Sequence, residues 1–247
     1  MADNPIQELH DVARQVRCLL ADLDTLGVDE LAVPDLPPQL PPCPPDVKGV
    51  DMGGDALCRQ ATLGDIRAEL EECRRCPLCK GRKNVVFGAG NPRARLVLVG
   101  EPPGREEDET GGPFAGEAGR LLDRMLFAMG MERSEVYLCN AVKCRPSGDR
   151  EPKADEIAAC EPYLQRQLAA IGPRLIIAFG AVAAQSLLRD RSPLEQLRGQ
   201  WREYGGIPLM PTYHPAYLLR TPTAKREVWE DLKQVMARLR KEREPGP

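Results

Sequence analysis

Arg95-Leu-Val-Leu-Val-Gly100 is a run of four apolar residues closed by glycine, with no polar alternation and too few residues for a helix. A run of that kind marks a strand buried on both faces, as in a parallel sheet. Downstream, three more segments read as strands: Val136–Val142, Arg174–Gly180 and Ile207–Pro211. Helical spacing of apolar residues predicts helices over 62–72, 116–130, 153–171, 181–189 and about 225–242. Strands alternating with helices predict an α/β fold, a single three-layer α/β/α domain around a mostly parallel, four-stranded central sheet. Such sheets bind ligands beyond the carboxyl ends of their strands. Glu101 follows the first strand, Asn140 closes the second, and His214 follows the fourth, so these three are the first candidates for chemistry.

Upstream the character changes. Residues 6–31 carry apolar side chains at three- and four-residue spacings, which predicts a short amphipathic helix. Seven of the twelve residues 34–45 are proline, a stiff extended tract that cannot join a sheet. Residues 1–60 therefore read as an acidic, Pro-rich extension, largely disordered, with docking of a partner protein as its second reading. Residues 61–247 read as the folded body. The net charge of −3 hides this division. Residues 1–72 hold 5 basic and 15 acidic side chains, whereas residues 73–247 hold 29 basic and 22 acidic. A basic body points to an anionic partner. No run of about 18 apolar residues suggests a membrane span, and no stretch reads as a secretory signal, so a cytoplasmic location is expected.

The nine cysteines are unevenly placed. Cys73-Arg-Arg-Cys76-Pro-Leu-Cys79 supplies two overlapping CxxC pairs, and Cys144 and Cys160 lie further along. Without an export signal, metal or cluster ligation is a better reading than disulfides. Four thiolates can hold structural zinc or an iron–sulfur cluster, and the distant pair, Cys144 and Cys160, does not form the second, separate CxxC usual in zinc ribbons. Cluster, zinc and unliganded thiols all stay open on spacing alone.

Two blocks narrow the field. One is Gly100-Glu-Pro-Pro-Gly104 continuing through Arg-Glu-Glu-Asp108-Glu-Thr-Gly-Gly-Pro113-Phe114-Ala-Gly116-Glu-Ala-Gly119 to Asp123; the other is Tyr213-His-Pro-Ala-Tyr-Leu-Leu-Arg220. With VVFGAGNP at 85–92 and NAVKCRP at 140–146, they closely resemble the family 4 uracil-DNA glycosylases, the iron–sulfur branch of that superfamily, over about residues 70–240.

The resemblance implies a monomeric enzyme that flips uracil out of double- or single-stranded DNA and hydrolyses its N-glycosidic bond. It implies a [4Fe–4S] cluster on Cys73, Cys76, Cys144 and Cys160, with Cys79 as an extra and a candidate substitute ligand. Glu101 would orient or activate the water, and His214 would donate to uracil O2 as charge develops. Asn140 would pair with uracil N3–H and O4, Phe114 would stack on the base, and Glu107 would stand near C5 to refuse thymine. Leu218 or Leu219 would wedge into the gap left by the base, with Arg220, Lys225 and Arg226 on flanking phosphates. In one departure Pro102 follows the glutamate where relatives carry glycine or alanine, so no N–H is available there. Two other readings remain. One is a binder that captures uracil-DNA through a histidine in a basic loop, although residues 144–153 hold none; the other is an iron–sulfur redox protein.

Overall fold

The computed structural model describes residues 61–241. The helix expected over 6–31, the proline tract and the rest of the extension lie outside the described residues.

The chain enters through α1 (Leu63–Glu71), whose first turn is closed by a capping box between Thr62 and Asp65. The sheet strands are β1 (Ala89–Gly90), β2 (Leu96–Gly100), β3 (Tyr137–Asn140), β4 (Leu175–Phe179), β5 (Arg202–Tyr204) and β6 (Ile207–Thr212). They lie in the order β1-β3-β2-β4-β6-β5. The helices between and after them are α2 (Arg105–Thr110), α3 (Gly116–Ala128), α4 (Ala154–Ile171), α5 (Ala181–Leu188), α6 (Leu194–Leu197), α7 (Pro215–Arg220) and α8 (Lys225–Lys241).

The four expected strands are the parallel centre, β3-β2-β4-β6. Every residue of β2, β3 and β4 is buried, which requires cover on both faces of the sheet. The sheet has six strands rather than four, because β1 and β5 add antiparallel edges. These two are only two and three residues long and largely exposed, so they carry no hydrophobic alternation that a sequence could display. The acidic segment after Gly104 also forms a helix, α2, where no apolar periodicity announced one.

Register decides where chemistry can occur. Gly100 of β2 pairs with Asn140 of β3, and Phe179 of β4 pairs with Thr212 of β6, so all four parallel strands end together. The chain leaves β2 toward β3 on one side and leaves β4 toward β6 on the other. The crevice between those two departures is the natural ligand position in an open α/β sheet.

Two smaller clusters flank the main core. Ile66, Leu70, Phe87 and Tyr163 fix α1 against α4, and Leu78, Val142, Cys144 and Cys160 form a third group beside them. Among the described residues no helix is long and apolar enough to cross a membrane.

Candidate active site and cysteine cavity

A cleft of about 600 Å³ opens at the carboxyl ends of the parallel strands. Glu101, Glu107, His214 and Arg220 line it, together with Pro102, Gly104 and Val182. Glu101 leaves the end of β2 and lays its carboxylate on the first turn of α5. The N–H of Ala181 donates to Glu101 Oε1 at 3.1 Å, and the N–H of Val182 also reaches the carboxylate. Gly180 makes this approach possible. Its φ is +94°, and any side chain there would collide with the Glu101 carboxyl. Burial raises the Glu101 pKa above the ordinary carboxylate value, and the two backbone N–H groups oppose that rise.

Phe114 is 1% exposed and adopts a left-handed backbone, φ +50°, unusual for an aromatic residue. Both of its peptide groups are held. The Phe114 N–H donates to Glu107 Oε1, while Arg133 Nη2 donates to the Phe114 carbonyl at 2.8 Å. Glu107 Oε2 accepts from the Gly104 N–H at 2.7 Å, and Ala115 contributes a further N–H. Glu107 thus ties the Gly104 turn to the Phe114 turn through backbone hydrogen bonds, and burial raises its pKa. The Phe114 ring stacks on the His214 imidazole, with centroids 5.5 Å apart and planes at 18°. Gly100 leaves room for the ring, since a Cβ there would come within 2.6 Å of Phe114 Cζ.

His214 caps α7. Its Nδ1 accepts from the Ala216 N–H at 3.2 Å, which places the imidazole proton on Nε2. Burial, with the Arg220 cation adding to it, pushes the His214 pKa down to about 4. The ring is therefore a neutral donor at neutral pH.

Asn140 is 1% exposed. Its Nδ2 donates to the Glu101 carbonyl at 2.6 Å, and its Oδ1 is buried with no hydrogen-bond partner among the described residues. A buried carbonyl oxygen left open costs roughly 1–3 kcal/mol, which is the mark of a ligand position. The carbonyl of Asn140 accepts from Lys143 Nζ at 2.8 Å. Lys143 is fully buried and escaped the sequence reading, although it stands inside the NAVKCRP block. Gly180 escaped it too; a glycine between an apolar run and a helical pattern was the available signal.

On the rim, α7 separates the two wedge candidates. Leu218 is 2% exposed and packs in the main core, so it is unavailable as a wedge. Leu219 is 38% exposed. Neighbouring helical positions point about 100° apart, so one is buried where the next is open. Arg220 lines the cleft, and Lys225 and Arg226 lie exposed at the start of α8.

The cysteines gather elsewhere. Cys73, Cys76, Cys79, Cys144 and Cys160 all line one small cavity between the 73–82 loop, the segment after β3, and α4. Arg82 Nη1 donates to Cys144 Sγ at 3.1 Å, and the Lys143 N–H donates to Cys160 Sγ at 3.3 Å. Arg82 Nη2 also donates to the carbonyls of Glu71 and Cys73 at 3.1 Å. Burial raises the Cys76 and Cys144 thiols, and Cys160 to about 11. Among the described residues no group of three or more His, Cys, Asp or Glu closes on a point for a single metal ion. An all-sulfur donor set spread around one hollow, with N–H and guanidinium donors to sulfur, fits an iron–sulfur cluster.

Residues 87–233 match the family model described as the uracil DNA glycosylase superfamily. The chain is 40% identical over 188 residues to a type-4 uracil-DNA glycosylase of Thermotoga maritima, covering 74% of this chain and 98% of that protein. It is 42% identical over 178 residues to the type-4 uracil-DNA glycosylase of Pyrobaculum aerophilum, covering 69% and 91%. A type-5 uracil-DNA glycosylase of the same organism is 29% identical over 187 residues, covering 62% and 82%.

Proposed function

The chain belongs to the uracil DNA glycosylase superfamily, and from that premise we propose how its cleft removes uracil from DNA. The protein is a DNA glycosylase. It breaks the bond between uracil N1 and deoxyribose C1′, adds water at C1′ and leaves an abasic site, the first step of base-excision repair. The observation that carries the assignment of roles is the buried Asn140 Oδ1, at the end of β3, with no hydrogen-bond partner among the described residues.

Uracil extruded from the stack enters the cleft against Phe114, whose ring is fixed by the clasp on its backbone. Asn140 Oδ1 accepts N3–H, and the remaining Nδ2 hydrogen donates to O4. Cytosine turns a lone pair at N3 toward Oδ1 and is refused, because the buried oxygen then stays unpaired. As C1′–N1 breaks, the electron pair moves onto uracil, and His214 Nε2–H donates to the oxygen where charge collects. Glu101 holds the attacking water and offsets the positive charge developing on the sugar. Glu107 lines the cleft with its two oxygens held on backbone N–H groups and serves as a fixed wall beside C5. Leu219 fills the gap left by the base, and Arg220, Lys225 and Arg226 hold flanking phosphates.

We assign the cysteine cavity to a [4Fe–4S] cluster, with Cys73, Cys76, Cys144 and Cys160 as ligands. When bound, the cluster supplies a rigid cross-link between the 73–82 loop, the end of β3 and α4. Arg82 and the Lys143 N–H stabilise the thiolates it needs. Covalent capture of uracil-DNA and electron carriage are not favoured, since the type-4 relatives are glycosylases.

The test is incubation of the purified full chain with a uracil-containing oligonucleotide. Free uracil and alkali-labile abasic sites are expected. Intact substrate, from protein that still carries iron and sulfide, overturns the reading.

A further inference from the structure

A [4Fe–4S] cluster takes four protein thiolates, yet five thiols line this cavity. The surplus arises on the short 3₁₀ helix Pro77–Lys80, whose N-cap is Cys76. Cys76 caps this turn on extended backbone and Cys79 stands inside it, and the Cys79 N–H donates to the Cys76 carbonyl at 3.3 Å. One turn therefore carries two thiols that line the same hollow. Proximity along the chain alone does not produce this. Cys139 stands a few positions before Cys144, yet it is buried in β3 and does not line the cavity. Cys76 and Cys79 are both half-buried at this hollow.

We infer that Cys76 and Cys79 are interchangeable ligands, so that the cluster survives the loss of either one. The inference rests on the cluster assignment above. The exchange is a ligand substitution without electron transfer. The bond from iron to Cys76 Sγ breaks, a bond from the same iron to Cys79 Sγ forms, and the proton of the Cys79 thiol passes to the released Cys76 thiolate. Cys73, Cys144 and Cys160 have no second cavity thiol on that turn to replace them and are each required.

The experiment measures iron, acid-labile sulfide and visible absorbance per chain in the full-length protein and in Cys76→Ala, Cys79→Ala, the double variant and Cys73→Ala. Both members of the pair as single variants are expected to keep at least about half of the wild-type iron, while the double variant and Cys73→Ala drop about tenfold or more. If Cys76→Ala or Cys79→Ala behaves like Cys73→Ala, interchange is overturned. Should a single variant be insoluble, alkylation of the native wild-type protein decides. Label on Cys76 in some chains and on Cys79 in others, with absorbance retained, supports the inference, and label on Cys79 alone, or on both in one chain, with absorbance retained overturns it. Absence of iron and sulfide from the wild type defeats the cluster assignment itself, a result separable from failure of interchange.

Discussion

The Glu101 carboxylate rests against the α-carbon of Gly180, so the residue proposed to hold the water occupies space that only a glycine leaves open. Gly180→Ala must displace that carboxylate or distort the first turn of α5, and its φ of +94° adds backbone strain. The expected outcome is a fall in kcat of about 100-fold, with affinity for uracil-containing duplex changed little. Single-turnover kinetics beside a binding titration check it.

His214 yields a pH prediction. Burial lowers its folded-state pKa from 6.5 to about 4, so between those values the unfolded chain binds the proton and the folded chain does not. This group therefore subtracts stability as pH falls through that window, and its imidazole stays neutral above it. The chain has two histidines, His10 and His214. Proton NMR of their ring signals, assigned with His10→Ala, is expected to show no His214 titration between about pH 5.5 and 7.5.

The acid limb of the rate profile should belong to Glu101. Its pKa is raised by burial, so the rate is expected to fall with acidification at a pH above the ordinary value of 4.5. Glu101→Gln should remove that limb and leave a low rate that is flat with pH.

The two adjacent leucines of α7 separate packing from DNA work. Leu218→Ala empties a core position and is expected to cost about 2–5 kcal/mol of stability, read by thermal unfolding. Leu219→Ala should leave stability nearly unchanged and slow uracil release from duplex about tenfold, with a smaller effect on single strands, where there is less stack to hold open.

Lys143 joins the cysteine cavity to Asn140, since its Nζ donates to the Asn140 carbonyl and its N–H donates to Cys160 Sγ. Lys143→Met keeps the volume and removes one hydrogen bond. A drop in kcat of about tenfold is expected, with iron content retained and the loss shared by uracil opposite guanine and opposite adenine.

Much of this was legible in the sequence, for physical reasons. β2 and β4 are buried on both faces, so their residues had to be apolar without interruption. Glu101, Asn140 and His214 stand where parallel strands end, a position that follows from the topology. β1 and β5 were illegible because two or three exposed residues carry no pattern. The difference between Leu218 and Leu219 depends on which face of α7 meets the core, which a six-residue helix does not encode. The backbone clasp of Glu107 was hidden for another reason: a carboxylate that accepts from N–H groups leaves no trace in the identity of its partners.

The shared register of the strand ends also bears on how the chain acquires its activity. Glu101, Asn140, Gly180 and His214 are brought together from positions spread over more than a hundred residues, and β2 pairs with β4 across 79 residues. Contacts of such high sequence separation carry a loop-closure cost and form late. An incompletely folded or nascent chain without β6 in place has no imidazole in the cleft. The cleft is therefore complete only in the finished fold, once β6 has carried His214 to the strand ends.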